Sequence, residues 1–498
     1  MARPIIPFPT ELRPALPTIV GNVDYLTLRQ RIEQIDELLR VSGAEKEFVE
    51  LSLQRWMPSG KTLSARQQQH FQLRSRKALR CTLLRTLLQE DYRGFSCQLA
   101  GHPLYQWFCL IDALDQIRVP TKSELQRYSQ WLPLEQMKKI STRLLQSALE
   151  EPKKLELKEA LDVEEYFLDT TCLKANIHFP VDWVLLRDGV RTLMKATSLI
   201  RDQGLKGRMQ EPAAFLRGIN RLSIEMTQQR RQKESKKGRK RVLRQMKKVV
   251  KTVGQHARRH RELLDKKWEE TDWTRAQADQ VLGRIDRVLE LLPRAQQQAH
   301  ERIIGGRLVD NEEKILSLYD GDVHVIVRGK AGADVEFGNT VLLGENRQGI
   351  ILDFVVFKEP APADSHLLME SLKRVEEKLG RKLGAVAGDR GFFSKANKEA
   401  LKQSETYDAL CPRAPQELTA RKKGKKFSAL QRRRSQTEAR IGILKGGFFG
   451  RPMRAKGFEN RELAVAWGVL THNFWMLARM RKTKKAKAKK KAPLLKAA

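Results

Sequence analysis

The sequence predicts an α/β core, preceded by an α-helical region and interrupted by a helical insertion after its first strand. Three observations lead there. Leucines at helical spacing run through residues 64–150, with Leu79, Leu83, Leu84, Leu87 and Leu88 on one face. A lone β-type run, Tyr166–Cys172, is followed by a helical pattern from about Val184 to Ile304. Strand patterns return at His324 and then alternate with helices.

Taken in order, residues 1–63 form a proline-broken arm and a helix around Leu26–Leu39. Residues 64–160 form a helical region suited to DNA binding or dimerisation. Within it, Thr121-Lys-Ser-Glu124 after Pro120 reads as a capping box. A further helix follows Pro133, carrying Leu134, Met137, Ile140, Leu144 and Leu145; this pair fits a helix-turn-helix or any small helical bundle. Residues 161–183 open the core, 184–306 are the basic helical insertion, and 307–478 complete the core. The later strands are expected at His324–Val327, Val335–Leu343, Ile350–Phe357, Ala385–Ala387 and Tyr407–Cys411, with a hairpin turn at Gly344–Gly349. Helices are expected over Ser365–Leu379, from Ser394, over Ala429–Lys445 and over Glu462–Met480. With the insertion set aside, the order reads strand, strand, strand, helix, strand, helix, strand, helix. Its first and fourth strands can lie side by side in parallel. Residues 479–498 read as a basic disordered tail.

Composition narrows the function. The 498 residues carry 95 Lys+Arg against 59 Asp+Glu, a net charge of +36, while 41% hydrophobic residues suffice for real cores and exclude a wholly disordered chain. The five cysteines are scattered without a C-x-x-C pair, which argues against a disulfide framework or zinc ribbon and for a reducing cytosol. No apolar run reaches the roughly 18 residues a membrane span needs, and the start does not resemble a secretion signal. Such a charge calls for a polyanion. Arg230–Arg261 holds 15 Lys/Arg in 32 residues, including Lys236, Lys237, Arg239, Lys240 and Arg241, and Arg479–Lys496 holds 10 in 18. Val242, Leu243, Met246, Val249, Val250 and Val253 recur at helical intervals. The first stretch is therefore either a helix packing one face and offering the other to phosphates, or a solvated linker.

Three carboxylates are candidates for chemistry. Asp169 lies inside an apolar strand, where a charge is costly unless it meets a cation. Asp389 ends another apolar strand at a glycine-bounded turn, and strand ends of open α/β sheets are where sites assemble. Glu438 shares a helical face with Arg434 and Lys445; Ser428-Ala-Leu-Gln431 reads as the capping box that starts this helix near Ala429. Converging carboxylates suit two Mg²⁺ ions, which prefer hard oxygens and leave room for phosphate. Arg390, Arg434 and Lys445 would then contact phosphates. Each acid also has a plain structural reading, as a turn former or ion-pair partner. Asp353 reads as an outward-facing strand residue, Asp182 and Asp188 as structural, and His472 as packed or capping. Ser59-Gly-Lys-Thr62 lacks the upstream glycine of a P-loop, since position 55 is Arg.

These blocks resemble the DDE transposases of bacterial insertion sequences. Arg434-x₃-Glu438-x₆-Lys445 is similar to the tail of the Y-x₂-R-x₃-E-x₆-K signature of the IS4-type group, with Gln431 at the tyrosine position. Leu168-Asp-Thr-Thr171, Asn176-Ile-His178-x-Pro180 and Leu186-Arg-Asp-Gly189 resemble the first-aspartate region, and Gly388-Asp-Arg-Gly-Phe392 the second. Thr471-His-Asn473 resembles the closing segment. The resemblance implies an RNase H-like core in which Asp169, Asp389 and Glu438 hold two Mg²⁺ ions, with Mn²⁺ as a substitute. It implies cutting of double-stranded DNA at terminal inverted repeats, joining of the 3′-OH ends to target DNA, a homodimer on DNA, and a cytoplasmic, nucleoid-associated bacterial protein. Asp169 and Asp389 are separated by 219 residues, Asp389 and Glu438 by 48, so the insertion follows the first strand rather than preceding the last helix. A β-rich insertion at the latter place helps related enzymes handle hairpin ends; here the cleavage route stays open. Two other readings remain: a non-catalytic DNA-binding protein derived from a transposase, and an RNase H-like nuclease that cuts without joining.

Overall fold

Seven helices precede the first strand in the computed structural model, which describes residues 13, 15–57, 63–111, 116–231, 235–330 and 333–482. They are α1 (Val23–Val41), α2 (Ala44–Trp56), α3 (Ala65–Leu88), α4 (Tyr92–Gly101), α5 (Pro103–Cys109), α6 (Lys122–Ser129) and α7 (Leu134–Glu150). The start of the proline-rich arm, the Ser59–Thr62 fragment and tail residues 483–498 lie outside the described residues. Reciprocal capping boxes open α3 (Ser64 with Gln67) and α6 (Thr121 with Glu124), the latter as the sequence indicates. The two helices offered as a helix-turn-helix take their main partners elsewhere: α6 packs on α3 and α4, α7 on α2 and α16 (Phe458–Met480). A charge network pins this region: fully buried Arg80 donates to Asp36 and, at 2.6 Å, to Glu45. Without those carboxylates a buried guanidinium would be strongly destabilising.

Strand β1 (Glu165–Lys174) leads directly into the insertion, four helices with an apolar core of their own: α8 (Asp182–Asp202), α9 (Pro212–Arg231), α10 (Lys236–Lys267) and α11 (Arg275–His300). Helix α10 buries Val242, Leu243, Met246, Val250 and Val253 and turns Lys236, Lys237 and Arg241 to solvent. The basic stretch is thus a packed amphipathic helix over these residues rather than a linker.

The chain then returns as β2 (His324–Lys330), β3 (Ala333–Asn346) and β4 (Ile351–Val356), followed by α12 (Asp364–Leu379), β5 (Ala385–Ala387), α13 (Lys395–Gln403), β6 (Tyr407–Asp408), α14 (Pro415–Lys422) and α15 (Lys425–Leu444). The sheet is mixed. Its order is β2-β3-β1-β5-β6, with β4 also on β3, and β1 runs antiparallel to β3 but parallel to β5. The parallel neighbour of β1 is therefore Ala385–Ala387, as expected, although it is the fifth strand of the chain rather than the fourth. Alternation along β1 sorts its side chains: Tyr166 and Leu168 join the large core that includes the α12 leucines, whereas Leu173 joins the cluster with Ile441 and Leu444 of α15. Gly344 is required opposite β1, because a Cβ there would overlap the Tyr166 ring, whose hydroxyl hydrogen-bonds Ser371 at 2.8 Å.

Two expectations are overturned. Asp353 does not face outward: it is buried under α12, accepting from Ser371 and Arg374, each at 2.8 Å. Alternation misled because this sheet is covered on both faces. Ser428 does not start its helix, which begins at Lys425 with Gly424 as the preceding residue; the Ser428 hydroxyl donates instead to the Lys422 carbonyl at 2.6 Å.

Candidate functional site

Asp169 lies mid-strand on the face of β1 that α15 covers. Burial pushes its carboxyl up to about 6, helped by the negative charge of Asp389 and, less strongly, of Glu438. The Thr170 N–H and Arg434 oppose this rise. The Thr170 amide donates to Asp169 Oδ1 at 2.8 Å and fixes its orientation. Three acids far apart in sequence thus share one electrostatic neighbourhood, together with Arg434.

Asp389 follows β5, in the turn beyond its last residue, and accepts the Gly391 N–H at 2.8 Å through Oδ1. Gly391 is needed there: a Cβ would stand 3.0 Å from that oxygen and 2.6 Å from Asp364 Oδ2. Asp364, the first residue of α12, accepts from Thr170 Oγ1 at 3.0 Å and so braces the Asp169 segment, while lying close against Gly391 of the Asp389 turn. The sequence singled out no role for it, and only its place at a helix start marks it.

Helix α15 brings Glu438 over the sheet. Its anchor is Glu345 of β3, fully buried and bonded to Arg433 (3.0 Å), Arg440 (3.0 Å) and Thr437 (2.8 Å), while Arg433 also stacks on Phe167 at 4.7 Å. Gln431 makes the second attachment. Its amide donates to the carbonyls of Ala409 (2.5 Å) and Gly388 (3.3 Å), and its oxygen accepts from Arg434 Nε at 3.2 Å. Arg434 in turn lies 3.6 Å from Glu438, whose side chain is 58% exposed. Lys445 donates to Thr171 Oγ1 at 3.2 Å, two residues along β1 from Asp169 and on the same strand face.

Of the residues marked in the sequence, Asp389, Glu438 and Arg434 lie within electrostatic range of Asp169, Arg434 pairs with Glu438, and Lys445 reaches the same strand face through Thr171. Arg390 is exposed beside Asp389. Lys236, Lys237, Arg239, Lys240 and Arg241 begin α10, which packs on α8, α9 and α11 within the insertion. His472 is packed, as expected: burial lowers it to about 4, and Phe448 meets it edge-on. Asp182 is structural too, buried and accepting from Gln298 and Arg302.

Among the described residues no three His, Cys, Asp or Glu side chains stand close enough to hold a metal ion. The donor chemistry nevertheless suits a hard divalent cation, because carboxylates whose mutual repulsion raises Asp169 would be relieved by one. Glu438 is the exposed member, and among the described residues its side chain pairs with Arg434 at the rim. No helix among the described residues is long and apolar enough to cross a membrane.

Comparisons with curated proteins and with solved structures found no match. Residues 330–474, which span β3 to most of α16 and include Asp389 and Glu438, match the family model described as Transposase DDE domain, so this stretch of the chain is similar to the DDE domain of transposases.

Proposed function

We propose that the protein is an IS4-type DNA transposase with an RNase H-like core, which cuts at the ends of an insertion sequence and joins the freed 3′-OH ends to target DNA. The observation that carries this reading is the position of Asp169. It lies outside the matched stretch 330–474, yet it senses the charges of Asp389 and Glu438 within that stretch. A structural aspartate has no reason to sit there, where burial and like charge both disfavour its ionised form.

Asp169, Asp389 and Glu438 would hold two Mg²⁺ ions, or Mn²⁺ in their place. Bound there, the ions supply Lewis-acid stabilisation of charge developing on the phosphate. The chain's own cations do the remaining work. Arg434, held by Gln431, and Lys445, held by Thr171, contact the phosphodiester on either side of Glu438, and exposed Arg390 meets it from the Asp389 turn. The attacking hydroxyl, first of water and then of the cut 3′ end, approaches in line with the leaving oxygen. The substrates are the terminal inverted repeats and the target duplex. The active species is a homodimer pairing two ends, working in the cytoplasm on the nucleoid.

The test is cleavage and joining of a labelled duplex bearing the element's end, with Mg²⁺ or EDTA, for wild type and Glu438→Gln. Nicking and joined product that need the metal and drop by at least about 10²–10³-fold in the variant, with DNA binding intact, are the expected results. Cutting without joining would favour an RNase H-like nuclease, and binding without cutting a non-catalytic DNA-binding protein.

A further inference from the structure

Away from the acidic site, two helices of the insertion and the turn entering α16 enclose a cleft of about 830 Å³. Arg191 and Lys195 stand one turn apart on α8, Arg284 and Arg287 at i, i+3 on α11, and Lys456, just before α16, lines the same cleft. All five are exposed, and none has an ion-pair or hydrogen-bond partner for its side chain among the described residues. The acidic lining does little to offset them. Asp320 is taken by buried Arg461, and Asp322 lies 3.9 Å from Lys358, which leaves Glu459.

The same two helices show how this fold treats a cation with a structural purpose. Arg302, just past α11, holds buried Asp182 of α8 at 3.0 Å, and Asp286 of α11 is held by Arg261 of α10 at 3.0 Å. The cleft cations have no such partner and stand at spacings where like charges repel. Half-exposed Tyr319, fixed by a 3.1 Å hydrogen bond to Thr192, adds an aromatic surface to the same cleft. The neutral polar side chains of the lining are already engaged, Asn460 with Gln130 and the Lys456 carbonyl and Thr192 with Tyr319, and unpaired cations are the chemistry of backbone recognition.

We infer that this cleft seats the phosphodiester backbone of duplex DNA, at a site separate from the acidic cluster and from the Lys236–Arg241 segment, so that bound DNA bridges the insertion and the sheet region. The inference rests on the DNA-handling reading above. Four arginine and lysine contacts from α8 and α11 would add to the salt dependence that Arg390, Arg434 and Lys445 give at the acidic site.

The experiment compares duplex binding across salt concentrations for three full-length proteins. These are the wild type, a cleft variant (Arg191→Gln, Lys195→Gln, Arg284→Gln, Arg287→Gln), and a charge-matched control at four exposed positions elsewhere (Lys153→Gln, Arg381→Gln, Lys382→Gln, Lys402→Gln). The cleft variant should flatten the slope of log K against log salt by about 3 to 4, at roughly 0.9 per phosphate contact, and the control by less than about 1. Equal slopes for the two variants overturn the cleft. Wild type that fails to bind duplex at all overturns the DNA-handling reading and the cleft with it. Inorganic phosphate at constant ionic strength should leave the difference in place; if millimolar phosphate abolishes it, the seat is for free phosphate. Lysine acetylation of the wild type, with and without duplex, avoids any folding defect of the variant. Lys195 and Lys456 should be protected more than Lys382 and Lys402, and equal protection also overturns the inference.

Discussion

The sheet region and the helical insertion are both rich in arginine and lysine, but they use them in opposite ways. In the sheet region cations are tied to buried carboxylates: Glu345 by Arg433 and Arg440, Asp353 by Arg374, Asp320 by Arg461. In the insertion an apolar core of Val242, Leu243, Met246, Ile285, Leu292 and their neighbours holds four helices together, and many cations are left facing solvent. Net charge alone therefore does not locate a nucleic-acid surface. What matters is which cations the fold has left without a partner.

The largest expected effect comes from breaking the pairing on the sheet side. Glu345→Ala removes the shared acceptor of two arginines and a threonine and leaves both guanidiniums facing a buried void. Losing one partner of a buried ion pair costs about 3–5 kcal/mol. Because α15 is held to β3 through this residue, hydrogen exchange of the α15 amides should accelerate by the corresponding 10²–10³-fold or more, with little change in α8 to α11. Uniform acceleration across both regions would mean that they do not differ in the way described.

A smaller effect is expected at the link between Gln431 and Arg434. Gln431→Ala frees the Arg434 guanidinium from its 3.2 Å contact and unties α15 from the carbonyls of Gly388 and Ala409. Cleavage at saturating DNA should fall about tenfold, equivalent to about 1.4 kcal/mol, while DNA affinity stays within twofold. A fall in affinity with unchanged turnover would make Gln431 part of a binding surface instead.

How much of this was legible in the sequence depends on the kind of signal. Glu438 with Arg434 and Lys445 was readable because helical spacing places all three on one face, and Asp169 because a carboxylate inside an apolar strand needs a reason. The parallel pairing of β1 with Ala385–Ala387 followed from the order of elements. Asp353 was misread because alternation cannot tell solvent from a covering helix that brings its own cations, Arg374 and Lys378. Glu345 was invisible, since its three partners lie about 90 residues away, on a helix where only Arg434, Glu438 and Lys445 drew notice. Helix α14 and the true start of α15 were missed because Arg421-Lys-Lys-Gly-Lys-Lys426 carries no apolar periodicity, and the serine after it looked like a cap.

The smallest effect is expected where the comparison is most exposed to failure. Helix α10 starts with Lys236, Lys237, Arg239, Lys240 and Arg241, has no acid in its first turn, and has no side-chain cap from Ser235. Cations at a helix N-terminus oppose its dipole at a cost of a few tenths of a kcal/mol each, and Glu225, paired with Arg241 at 2.9 Å, offsets little of this because the pair is exposed. Neutralising Lys236 and Lys237 to Gln should therefore leave the stability of the insertion unchanged or raise it by about 0.5 kcal/mol, read from exchange of the α10 amides. It should still flatten the salt dependence of DNA binding by about 1 to 2. A stability loss above about 1 kcal/mol would show that these lysines hold the insertion together. An unchanged salt slope would mean that the helix start meets no phosphate, and that the exposed cations of the insertion act on DNA from elsewhere on its surface.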